Sequence, residues 1–109
     1  MLEYKYKDIN MEMNKCNSLN EVRSEIDKLD VQIIKLIALR KDYVKQAANF
    51  KNTIDEIKAD DRVDDVLNNV RHQALSLSLS PNLVSEIYTR MIDDMVETEI
   101  AEFRNVKTF

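Results

Sequence analysis

The 109-residue chain carries 16 Lys and Arg against 20 Asp and Glu, a formal net charge of -4, with one Cys, one His, one Pro and no Gly. Net negative charge without a long basic block excludes nucleic acid as the expected partner, and Cys16 and His72 alone are too few for an internal disulfide, a structural zinc site or Cys-His or Ser-His-Asp catalysis on the usual pattern. The lack of Gly and the single Pro argue against a sheet with tight hairpins, so an all-α chain with Asn, Asp and Ser turns is expected, in one domain that is small for its surface unless it oligomerises.

Residues 1–17 mix charges with scattered Tyr and Met and show no sustained period, which predicts a flexible arm ahead of a helical domain over 18–109. They contain no signal-peptide core, and no apolar run approaches the roughly 20 residues of a membrane span, so a soluble, cytoplasmic protein is expected. Ser18 followed by Glu21 is a capping-box pattern and starts the first helix. Positions 22, 26, 29, 33, 36, 40, 43, 47 and 50 then carry Val, Ile, Leu, Ile, Leu, Arg, Tyr, Ala and Phe, an apolar seam interrupted only by Arg40. A neighbouring seam starts at Arg23, passes through Arg40 and ends at Lys51. A cation in an apolar seam costs several kcal/mol unless it is paired, so either acids of the chain or an anionic ligand should meet these three. The alternative is that their stems snorkel to water from the edge of the stripe. A helix reaching about Lys51 would be roughly 50 Å long, too long for a compact three-helix monomer to cover, which predicts a dimer.

Residues 52–61 lose the apolar period and are rich in Asp and Asn, as in a mobile connection. Asp60 or Asp61 is expected to cap a second helix with Val63, Val66 or Leu67, Val70, Ala74 and Leu77 on its inner stripe. Arg62 falls in the first turn, where a cation opposes the helix dipole, and is either a ligand-binding group or a surface charge. His72 reads as a surface residue. The alternating SLSLS at 76–80 reads as a helix end and turn, and Ser80-Pro81 as the N-terminus of a third helix whose inner side carries Leu83, Val84, Ile87, Tyr88, Met91, Ile92, Met95, Val96, Ile100 and Phe103. Periodicity alone groups Glu99 with Glu97 and Glu102 on an acidic outer face.

Arg23, Arg40, Lys51 and Arg62, without a nucleophile, metal set or conventional base, can bind a small polyanion and stabilise charge that develops as it rearranges. The Arg fork grips both oxygens of a carboxylate. On these residues the chain resembles the all-helical class of chorismate mutases: VRSEIDKLDVQII, LRKDYVKQAANFK, ADDRVDDVL and a terminal helix with ETEI follow its pattern over about residues 18–104. The segment RKDYVKQAANFK is especially similar to the isochorismate pyruvate lyases of bacterial salicylate biosynthesis, a branch of the same fold.

The resemblance implies three helices per chain with one long N-terminal helix, an intertwined homodimer with two sites and a dicarboxylate substrate; no cofactor or metal is expected. It implies that Arg23 reaches into the site of the other subunit, that Arg40 grips a substrate carboxylate in its own, and that Lys51 bonds the ether oxygen and a carboxylate. Arg62 matches the arginine after the mobile loop, and Glu99 a position usually held by Gln that donates to the ether oxygen, which an ionised carboxylate cannot do. Val63 stands where mutases usually have a Glu that binds the ring hydroxyl, as in the lyase branch. The expected activity is rearrangement of chorismate to prephenate, as in aromatic amino acid biosynthesis, with loss of pyruvate from isochorismate as the close alternative. A non-catalytic helical dimer that binds an anion or a protein is the reading from another class.

Overall fold

The computed structural model of the chain describes residues 13–107. Among them are three long helices and no strand: α1 (Leu19–Ala47), which runs into a 3-10 turn at Ala48–Phe50, the single-turn α2 (Ile54–Ile57), α3 (Asp60–Ser76) and α4 (Pro81–Lys107). The all-α architecture with a long first helix is the one the period and the missing glycines predict. Most of the expected arm, residues 1–12, lies outside the described residues, and 13–18 carry no helix.

Two compact units divide at Ile37. In the first, Ser18 Oγ accepts from the Glu21 backbone N–H at 3.1 Å, and Glu21 Oε2 accepts from the Asn17 N–H at 2.6 Å. This is the predicted capping box, with the acid reaching one residue further back than Ser18. The seam lies in register along this part of α1 but none of it is buried; Val22, Ile26, Leu29 and Ile33 are all exposed.

In the second unit, α4 is the packing platform for α3, for α2 and for the 3-10 turn. Ile92, Met95 and Ile100 of α4 are buried together with Ala48, Ile57 and Ala74, and this is the core. Small residues at 48 and 74, both almost fully inaccessible, let backbones approach closely. Leu83 and Ile87, expected on the inner side of α4, are exposed instead.

The junctions explain the element ends. Ser80 Oγ accepts from the Leu83 N–H at 3.2 Å and Pro81 opens α4, as predicted. After α3, Leu79 N–H reaches the Ala74 carbonyl at 2.8 Å and Ser78 N–H the Leu75 carbonyl at 3.2 Å, a Schellman pair that places Ser78 at φ 60°. Arg71 donates to Asn82 Oδ1 and Ser85 Oγ, tying α3 to the start of α4.

Two local expectations need correction. The connection at 52–61 contains the helical turn α2, because Thr53 Oγ1 accepts from the Glu56 N–H at 3.2 Å and Ile57 is buried beneath it. α3 is not capped by Asp60 or Asp61: its N-cap is Ala59, without a side-chain bond, and the two aspartates occupy the first turn, where their charge favours the dipole.

Candidate active site

Three junctions bring the candidate side chains to one place. Arg40 comes from the last two turns of α1, and the 3-10 turn swings the chain so that Lys51, in an extended conformation, follows directly. Arg62 and Val63 sit at the start of α3, and Glu99 projects from the C-terminal half of α4. All five line one cavity of about 330 Å³. Arg23 lies on the first part of α1, in the other unit, and is exposed.

The electrostatics of the cavity are uneven. Lys51 Nζ and Glu99 Oε2 form an ion pair at 2.9 Å. Glu99 is buried, with 7% of its surface accessible. That position corrects the placement of Glu99 on an outer acidic face, since Glu97 is exposed while Glu99 turns inward to Lys51. A carboxylate so covered costs several kcal/mol unless it is compensated, and the ammonium supplies the compensation.

Arg40 is held differently. Its Nη1 donates to Met95 Sδ at 2.8 Å, and its guanidinium carbon stands 5.7 Å from the centre of the Tyr88 ring. Among the described residues no carboxylate lies within 4.0 Å of Arg40 or of Arg62. Sulfur and a ring face hold the half-buried Arg40 guanidinium without neutralising it. Its stem does not merely snorkel to open solvent, and the described part of the chain supplies no anion for Arg40, whereas it supplies Glu99 for Lys51.

The rest of the lining is apolar, with Val63, Val66, Val96 and Ile92 among it, plus one acid that sequence reasoning missed. Glu56 of α2 lines the cavity and accepts from the Asn52 N–H at 2.9 Å. The pattern Thr53-x-x-Glu56 was the available signal, the same box that starts α1. His72 is remote in role: exposed on α3, its Nδ1 lies 2.8 Å from the Asn68 carbonyl.

The arrangement suits a small dianion. Two guanidinium groups are open to it, a third cation is held in place by a buried acid, and the walls between them are largely apolar.

A family model described as chorismate mutase type II matches residues 22–100. The chain is 28% identical over 92 residues to a protein of Pseudomonas aeruginosa named isochorismate pyruvate lyase, an alignment that covers 84% of this chain and 91% of that relative.

Proposed function

The chain belongs to the chorismate mutase type II family, and from that premise we propose that its cavity binds isochorismate and converts it to salicylate and pyruvate. The observation that carries the reading is the pair Arg40 and Arg62, two cations lining one cavity with no carboxylate of the described chain within 4.0 Å of either. The substrate has two carboxylates. Val63 and similarity to the relative named as a lyase support isochorismate over chorismate.

In this reading Arg40 and Arg62 grip the two carboxylates and hold the enolpyruvyl group over the ring, a conformer that the free substrate visits only part of the time. Hydrogen then moves from the hydroxyl-bearing ring carbon to the terminal methylene carbon of that group, as the bond between the neighbouring ring carbon and the ether oxygen breaks. The ring becomes aromatic and the oxygen leaves in the carbonyl of pyruvate. Negative charge builds on the ether oxygen during the break, and Lys51 is the donor placed to receive it. Glu99 fixes Lys51 when ionised and can itself donate to that oxygen only when protonated. No nucleophile is needed.

The second reading is chorismate mutase proper, favoured by the family model itself. The same cations would bind chorismate, and the pyruvyl group would migrate by a [3,3] shift to give prephenate. Both readings take residues 18–109 as the catalytic domain, in the cytoplasm, and a homodimer in which Arg23 of a second copy completes each site. The uncovered seam of α1 supports the dimer. Among the described residues no helix is long and apolar enough to cross a membrane.

Turnover of the purified full chain on isochorismate and on chorismate, side by side between about pH 5 and pH 8, tests the proposal. Salicylate and pyruvate from isochorismate, with chorismate much slower, is the expected result. Prephenate from chorismate would make the protein a mutase, and silence on both would leave a non-catalytic dimer.

A further inference from the structure

One stripe of α4 carries Tyr88, Ile92, Met95 and Glu99, and it meets two cations of the cavity in unlike ways. Glu99 pairs with Lys51, whereas one turn earlier Met95 Sδ accepts from Arg40 Nη1 at 2.8 Å and the Tyr88 ring centre lies 5.7 Å from the guanidinium carbon. Arg40, Tyr88 and Met95 all belong to the second compact unit. Met95 is buried, with 3% of its surface accessible, and it lines the cavity while Tyr88 does not. Of these two neighbours of Arg40, only the sulfur borders the space a ligand would fill.

A carboxylate at position 95 would hold the guanidinium but use up its charge, as Glu99 does for Lys51. A hydrocarbon there would leave the charge whole and the fork free to turn. A thioether is a weak, uncharged acceptor, so it takes one N–H and leaves the charge and the remaining donors for a ligand. Burial restrains the rotamer of Met95, which removes the flexibility a methionine has elsewhere. Building on the reading in which Arg40 grips a substrate carboxylate, we infer that Met95 is a positioning residue whose sulfur aims the Arg40 guanidinium at that carboxylate. Such a guide matters because a misplacement of about 1 Å can cost about 100-fold in rate.

The test titrates the full chain by calorimetry with a dicarboxylate that cannot react, the lactyl ether of a hydroxylated cyclohexadiene carboxylate. Met95→Leu keeps the volume and apolar character of the site, a swap that cores tolerate well, and removes the acceptor. Met95→Gln keeps the length and offers a stronger neutral acceptor. Positioning predicts that Met95→Leu weakens the ligand by about tenfold and that Met95→Gln stays within about threefold of wild type. Packing alone predicts the reverse order. In an Arg40→Lys background the guanidinium is gone, so Met95→Leu should add less than about twofold, whereas a packing defect would add in full. Circular dichroism checks that each variant folds, and Met95→Ile serves as a second sulfur-free variant. Binding by Met95→Leu as tight as wild type, a loss with Met95→Gln as large as with Met95→Leu, or the same loss in both backgrounds would overturn the inference and leave the dicarboxylate reading standing. Failure of wild type to bind the ligand would overturn that reading first, and this inference with it.

Discussion

At the residue scale, the two kinds of cation in the cavity should respond oppositely to the same substitution. Arg40 has sulfur and a ring as neighbours and no carboxylate, so Arg40→Met removes a poorly compensated charge and leaves an apolar stem beside Met95. Its melting free energy should stay within about 1 kcal/mol of wild type or rise, while turnover falls by at least about 100-fold. Lys51→Met instead strands buried Glu99. It should cost about 1–3 kcal/mol, below the value for a fully buried pair because Lys51 keeps 28% of its side chain accessible. Denaturant melts and steady-state rates on both variants check this. Equal stability of the two would mean that Glu99 does not depend on Lys51.

Elements are where the sequence speaks most clearly. Three of the four helix starts carry a hydroxyl cap, and Ser18 and Thr53 use the same box with an acid three residues on. α2 was still missed as an element, because four residues give no period to detect; only its cap and buried Ile57 hold it. Ser78, at φ 60°, shows the cost of a chain without Gly. A left-handed residue with a Cβ is strained by about 1–2 kcal/mol, and part of that gain is lost to the greater freedom of Gly when unfolded. Ser78→Gly should therefore stabilise the protein by about 0.5–1 kcal/mol and raise Tm by roughly 2–8 °C without changing turnover. A scanning calorimetry trace showing no rise would place Ser78 outside the strained region.

For the whole molecule, the uncovered apolar seam of α1 and the exposed Arg23 bear on assembly. If a second copy covers the seam and brings Arg23 into each site, then Arg23→Ala and Arg40→Met, each inactive alone, should complement when mixed. The hybrid dimer holds one site with neither change, so a statistical mixture should recover roughly a quarter of wild-type turnover. Sedimentation should show dimers throughout, and no recovery on remixing would separate Arg23 from the active site. What the sequence by itself determined is the helical class, the caps, and the cations at fixed spacing, because these depend on neighbours within a turn or two along the chain. The family resemblance put Arg40, Lys51, Arg62 and Glu99 in one site, but the period did not; only the tertiary structure decided that Glu99 turns inward to pair with Lys51, that Arg40 rests on Met95 and Tyr88, and that Glu56 joins the cavity. Helical period assigns a residue to a face but not to a partner, and the partner of Glu99 lies 48 residues away on another element.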